Sequence, residues 1–427
     1  MVTKRERKEE WPVLSGSRHL LAYTLTVMVV PGSVAPVQAS PPDIWSTPHP
    51  LRLEAITTGR DYQFNRESFM HRFGYRHLSS FPAAGEDGLA GTGGSVTGDE
   101  LYVDISLQKT LLFDDERFGI IGRMQRREDF DGSFDRQLIG ITGRINDWDF
   151  SFLADPAGNK ERVALQYEAN WRPDESRFLR LALIQPDSLY NDKAPNDNRY
   201  DQNPITAFLH YRQPLAGNGR VETAINYSPQ AVYENNARGF SIDAEQLRVM
   251  AAMELPVTRQ WSSEVRIELE RSQRDFAPIG PGTVPGDNFD RRMEHVIWSL
   301  QSSDHPWLPQ LGVRYLNLDE SGWLGTGLAA DGINTRREVG FFAGVTFRTG
   351  DNHWWEPMVH GARVDYTSEF PDNPEYYRDR DEFMAKLNLP WRVVVNREAG
   401  AVLTLNPTFR LHRPGFGGGN IQLHWPF

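Results

Sequence analysis

The chain closes on Gly417-Gly418-Gly419-Asn420-Ile421-Gln422-Leu423-His424-Trp425-Pro426-Phe427. From Ile421 onward every second residue is apolar (Ile421, Leu423, Trp425, Phe427), while Asn420, Gln422 and His424 take the alternate positions. A period of two marks a strand with one oily and one polar face. The last residue printed is itself an aromatic.

The same pattern recurs upstream. Leu101, Val103, Ile105 and Leu107 alternate with Tyr102, Asp104, Ser106 and Gln108. Val163, Leu165, Tyr167, Ala169 and Trp171 alternate with Gln166, Glu168, Asn170 and Arg172. Val265, Ile267 and Leu269 oppose Glu264, Arg266, Glu268 and Glu270, and Val339, Phe341, Ala343, Val345 and Phe347 form another oily face. Continued along the chain, the alternation predicts about 16 to 18 strands, from 69–77 and 101–113 through 353–367, 381–396, 400–413 and 419–427, and no helix of consequence. The Gly-rich run Leu89 to Gly98 lacks the G-x-x-x-x-G-K spacing of a phosphate loop and reads as a flexible connection.

The connections alternate in length. Asp114-Asp115-Glu116, Asn146-Asp147, Pro173-Asp174-Glu175, Ala216-Gly217-Asn218, Gly350-Asp351-Asn352 and Arg397-Glu398-Ala399 read as tight turns. Between them lie 129–135, 188–203, 233–241, 276–290, 321–335 and 368–380, most of them rich in Pro, Gly, Asp and Asn. Short turns at one end and long loops at the other are the asymmetry of an even-stranded membrane barrel. Tryptophan gives a second indication. Trp148, Trp171, Trp261, Trp307, Trp354, Trp355, Trp391 and Trp425 all fall at the short-turn end, as an aromatic girdle at a membrane interface requires. The expected fold is all-β: a transmembrane, antiparallel, up-and-down barrel with its long loops outside the cell.

Composition agrees with that reading. Mean hydropathy is −0.54, and no run approaches the roughly 20 apolar residues of a membrane helix. A barrel needs only one oily face, so a polar average is no obstacle. Cys is 0, which excludes disulfides, iron–sulfur clusters, zinc–cysteine sites and covalent haem. The formal charge of −11 argues against nucleic acid as a partner. At the N-terminus, Lys4, Arg5, Arg7, Lys8 and Arg18 form a basic region, Leu20 to Val30 an apolar core too short to span, and Val37-Gln38-Ala39 a small-residue stretch. This predicts a signal peptide over 1–39 and export in a Gram-negative cell. Residues 40–66, opening on Ser40-Pro41-Pro42, read as a periplasmic tail or small plug, and 67–427 as the barrel.

A terminal strand ending in Phe, with aromatics at alternate positions before it, resembles the closing strand of bacterial outer-membrane β-barrels. In size, strand number and an Arg-bearing lumen the chain also resembles porins and exporters of acidic polysaccharides such as alginate. The resemblance implies contact with the lipid bilayer and lipopolysaccharide. It also implies insertion by the barrel-assembly machinery, with Ile421, Leu423, Trp425 and Phe427 as assembly signal.

Candidate site residues are the charges on the polar faces. Arg123, Arg127, Arg144, Arg172, Arg180 and Arg212 crowd the first half of the barrel. Glu222, Glu264, Glu268 and Glu270 lie on a later arc, and Arg314, Arg348, Arg363, Lys386, Arg392 and Arg410 return positive charge toward the C-terminus. Arcs of one sign tune solute selectivity in a water-filled pore. A lumen that only needs hydrophilic side chains, paired across neighbouring strands, would use the same residue types. Enzyme patterns are thin. His77-Leu78-Ser79 has no third group to orient the histidine, Asp304-His305 sits in a predicted periplasmic turn, and no HExxH occurs. Asp192, Asp197, Asp201, Asp287 and Asp290 fall in predicted outside loops without the spacing of a calcium site. The expectation is therefore a passive channel for hydrophilic solutes, anionic ones among them, or polysaccharide, without cofactor or metal. The alternatives are a sheath around a periplasmic partner such as a multihaem cytochrome, and an outer-membrane enzyme.

Overall fold

The computed structural model describes residues 87–426, apart from connections at 97–99, 114–116, 130–131, 157–164, 175, 186–197, 200–205, 217–218, 236–239, 279–288, 303–306, 323–331 and 370–377. Twenty-one strand segments make one antiparallel sheet. They are β1 (Gly88–Val96), β2 (Glu100–Leu112), β3 (Phe118–Asp129), β4 (Gly132–Ile145), β5 (Trp148–Ala154), β6 (Leu165–Trp171) and β7 (Phe178–Gln185). Next come β8 (Asn198–Arg199), β9 (Thr206–Leu215), β10 (Gly219–Asn235), β11 (Phe240–Pro256), β12 (Trp261–Pro278), β13 (Phe289–Ser302) and β14 (Trp307–Gly322). The last are β15 (Gly332–Gly350), β16 (His353–Trp355), β17 (Met358–Glu369), β18 (Arg378–Asn388), β19 (Trp391–Asn396), β20 (Ala401–Arg410) and β21 (Gly415–Pro426).

Three pairs of segments, β8 with β9, β16 with β17 and β18 with β19, are single strands interrupted midway, so the wall has 18 strands. Two of the breaks fall at Glu356-Pro357 and Leu389-Pro390. Proline has no N–H to give the ladder. These prolines lie side by side with Pro407: Glu356 N donates to Pro390 O at 2.9 Å, and Leu389 N to Pro407 O at 3.0 Å. The ladder is therefore interrupted along one line across three strands while the register on either side is kept, and along that line only β20 shifts against β21, between Pro407 and Phe409.

The sheet closes because β1 pairs with both β2 and β21 along its whole length, from Gly88↔Pro426 to Val96↔Gly418 on the closing side. This corrects the sequence expectation, which took Leu89 to Gly98 for a loop. The strand expected at 69–77 lies outside the described residues. The glycines have a packing reason: a Cβ on Gly94 would stand 2.3 Å from Gly419 O and 2.8 Å from Asn420 Cβ. Such closeness between neighbouring backbones excludes a side chain.

Burial runs inside out. Val339 is 65% exposed and Phe341 50%, while Glu338, just before Val339 on the opposite face, is fully buried. The same alternation holds for Leu311 and Val313 against Arg314, and for Ile267 and Leu269 against Glu268 and Glu270. An oily outer face and a charged inner one is the arrangement of a barrel that spans lipid. On β15 the oily face runs from Val339 to Phe347, which at about 3.3 Å per residue and ~40° of tilt covers roughly 20 Å, most of the ~25 Å apolar band of an outer-membrane barrel. Its upper edge is abrupt. Val296, Tyr315 and Val339 are followed on their own strands, two residues on, by the outward Glu294, Asn317 and Arg337. Arg363, expected in the lumen, is corrected by this register: it faces outward at the upper margin of the apolar band, opposite Val339 and Phe383, and pairs with Asp381 at 2.6 Å. The lower edge carries cross-strand aromatic pairs, Trp148–Trp171, Trp307–Phe347 and Trp355–Trp391, with ring centroids 6.5, 5.8 and 5.9 Å apart.

The connections at that lower end are all brief, and Asn146 takes the left-handed conformation (φ 54°) that a two-residue turn asks of it. At the other end the rule is looser. The expected long loops at 129–135 and 233–241 shrink to 130–131 and 236–239, because β3, β4, β10 and β11 continue further up. Asp290, expected in a loop, belongs to β13. An apolar recess of about 1120 Å³, lined by Phe113, Phe118, Ile141, Phe152, Leu181 and Tyr227, lies on the outer, lipid-facing side.

The seam yields a paired test. Gly94→Ala places a methyl against the β21 backbone and is expected to destabilise the folded barrel by about 1–3 kcal/mol. Gly122→Ala, where nothing lies within 4 Å, should be close to neutral. The temperature at which the fast-migrating folded form converts on a gel reports both. Equal behaviour of the two variants would contradict the closure described.

Candidate functional site: the charged inner wall

Strand register decides which charges meet. On the first arc, Glu168 of β6 sits between two of the expected arginines. Arg123 of β3, reaching past β4 and β5, donates Nη1 to Glu168 Oε1 at 2.7 Å and Nη2 to Oε2 at 3.0 Å. Arg180 of β7 donates Nη2 to Oε1 at 2.7 Å. Gln166 adds a bond at 2.6 Å, and Gln108 Oε1 accepts from Arg123 Nε at 3.0 Å. Arg180 is 2% exposed and Glu168 5%, so this is a buried ion cluster, not a solvated ring. The forked guanidinium suits a shared carboxylate of this kind.

The neighbouring arcs follow the same scheme. Arg212 donates Nε to Glu222 Oε2 at 3.1 Å and lies 4.8 Å from the Phe178 ring centroid. His210 Nε2 stands 2.6 Å from the other Glu222 oxygen. Each carboxylate of the expected acidic arc has an arginine beside it: Arg266 for Glu264 at 3.1 Å, Arg248 for Glu268 at 2.7 Å, and Arg291 for Glu270 at 3.7 Å. Farther round, Glu338 accepts from both Arg314 and Arg336. Arg392 pairs with Glu356 at 3.2 Å, beside the Pro357 break.

The remaining candidates lie at the ends of strands. Arg144 is exposed at the short-turn rim and donates Nε to Asp149 Oδ1 at 2.7 Å. Arg172 follows β6 in the 172–177 connection, its N bonded to Asp147 O at 2.8 Å. In that connection Asp174 accepts from Ser176 and Arg177, and these hydrogen bonds hold its carboxyl well below the usual carboxylate range. Arg127 lies in β3 four residues beyond Arg123, with its side chain outside the described set. Ile421 faces outward on β21, Leu423 and Trp425 share its alternation opposite Gly91 and Leu89, and Phe427 lies outside the described residues. His77-Leu78-Ser79, Asp304-His305, Asp192, Asp197, Asp201 and Asp287 also lie outside them.

The arginines and glutamates of the sequence analysis thus interleave rather than face each other as two walls of opposite sign. A polar recess of about 170 Å³ opens on the inner face near the short-turn end, lined in part by Asp87, Gln108, Arg117, Asn170 and Arg144. Among the described residues no group of three or more His, Asp or Glu is placed to hold a metal. Glu168, Glu338, Glu356 and His210 were not singled out from the sequence. Glu168 stood visibly on a polar face, but its partner Arg123 is 45 residues away, and no local spacing marks such a pair.

No family model and no curated protein matches the chain. Among solved structures, a bacterial polysaccharide outer membrane secretin is similar at 11% identity and TM-score 0.37, with 80% of this chain and 98% of that one covered. The outer-membrane protein OpdK of Pseudomonas aeruginosa is similar at 9% identity and TM-score 0.41, covering 80% and 98%. OccK2 (OpdF) of Pseudomonas aeruginosa, solved with glucuronate, is similar at 10% identity and TM-score 0.39, covering 80% and 96%. These are likenesses of barrel architecture and carry no activity over to this chain.

The Glu168 cluster makes a clear stability prediction. Glu168→Gln removes the carboxylate that two buried guanidiniums share and is expected to cost about 3–5 kcal/mol. Asp149→Asn, which breaks the exposed pair with Arg144, should cost ~1 kcal/mol or less. Urea unfolding in lipid vesicles measures both, and a near-neutral Glu168→Gln would contradict the assigned pairing.

Proposed function

We propose that the chain is a channel of a bacterial outer membrane, exported through its N-terminal signal. Small hydrophilic solutes would cross it passively, with a bias toward anions. One observation carries the reading: the wall is closed, apolar outside and charged within. Such a wall isolates a polar path from lipid without any catalytic constellation. The inner side chains are packed, with Arg291 1% and Arg314 3% exposed, so the path is narrower than a bare 18-strand wall would leave. Neighbouring carboxylates offset many of the arginines, and salt screens the rest beyond about 8–10 Å. The anion preference is therefore expected to be mild.

Reconstitution in a planar bilayer tests the proposal. Stepwise KCl conductance is expected, with a reversal potential on the anion-selective side under a salt gradient. Insertion of folded barrel with no conductance would contradict the channel reading. Cation selectivity would contradict the anion bias.

A further inference from the structure

On the inner wall between β14 and β20, one charge departs from the pairing seen elsewhere. Lys386 of β18 stands directly opposite Arg410 of β20 on one side and His360 of β17 on the other. It shares the inward face with the buried Met384 and Asn388 and is itself 4% exposed. Among the described residues it makes no hydrogen bond or ion pair. Among the described residues, the charges that act on it most strongly are Arg336, Arg314, Arg410 and the carboxylate of Glu338. That carboxylate already accepts from Arg314 and Arg336. Arg410 gives Nη2 to Phe416 O at 3.1 Å, while its Nε is buried and bonded to nothing.

Like charges directly opposite on neighbouring strands repel, and a buried ammonium without an acceptor is unfavourable. Loss of the lysine proton would ease the repulsion but leave the amine and the Arg410 Nε still without acceptors. An anion with more than one oxygen would answer both needs at once. We propose that Lys386 and Arg410 form a binding station for an oxyanion, the carboxylate or phosphate group of a solute, on the inner wall. The ammonium supplies a compact charge and the guanidinium a directional donor. The solute's passage rests on the channel reading above; the binding does not.

The test uses the full-length folded barrel in detergent. The temperature of conversion to the unfolded form is measured in sodium chloride, inorganic phosphate and succinate at equal ionic strength. Wild type is expected to be stabilised by phosphate, succinate or both relative to chloride, and the larger shift identifies which solute group the station takes. Lys386→Gln should be at least as stable as wild type in chloride, because a repulsion is gone, and should lose more than half of the oxyanion shift. Lys386→Arg should keep the shift, and Arg410→Gln should reduce it. No oxyanion shift in wild type would overturn the station. So would a Lys386→Gln barrel that is destabilised in chloride or that keeps the full shift. Oxyanion stabilisation in a barrel that passes no KCl current would keep the station and remove the channel reading.

Discussion

In lipid, a backbone N–H or C=O without a partner costs several kcal/mol, so a sheet can persist there only by closing on itself. Closure here depends on β1. Its nine residues pair on one edge with β2 and on the other with β21, and without them two rows of polar groups would face the bilayer. Glycine is a poor strand former, yet four of the nine residues are glycine. At Gly94 the two backbones come too near for a Cβ, and β21 answers with Gly418 and Gly419 in conformations open to glycine (φ 98° and 159°). The seam trades intrinsic strand preference for close approach.

Once the wall is closed, the inner face inherits a second constraint. Its charged side chains are buried or half-buried, and buried charge persists only when paired and hydrogen-bonded. This explains why Arg123, Arg180, Arg212, Arg248 and Arg266 each meet a carboxylate on their own or a nearby strand. It also explains why Lys386 stands out. The line of Pro357, Pro390 and Pro407 lets the wall interrupt its ladder at one level, and the Arg392–Glu356 pair occupies that break on the inside. At the upper margin of the band the outer face turns polar, which is where Arg363 and Asp381 find each other.

Much of the architecture was legible in the sequence because period-two alternation is local. Val339 to Phe347 announces an oily face without reference to any other strand, and the tryptophans at strand ends fix which end is the interface. What the alternation could not reveal were features set by the neighbour across the ladder. The glycines of β1 read as a loop because nothing nearby indicates that another backbone will press against them. The breaks at Pro357 and Pro390 were absorbed into continuous strands of 353–367 and 381–396, since one interruption leaves the alternation on either side intact. Pairings such as Arg123 with Glu168 are decided by register over two intervening strands, which a sequence does not carry in any short window.

In this barrel one face of every strand meets lipid and the other meets the lumen. A cysteine scan through 338–347 on β15, each cysteine carrying a small fluorophore and the folded protein placed in vesicles of nitroxide-labelled lipid, tests it directly. Strong quenching at 339, 341, 343, 345 and 347, and weak quenching at 338, 340, 342, 344 and 346, is the predicted result. Uniform quenching along the stretch, or the opposite phase, would contradict the inside-out barrel.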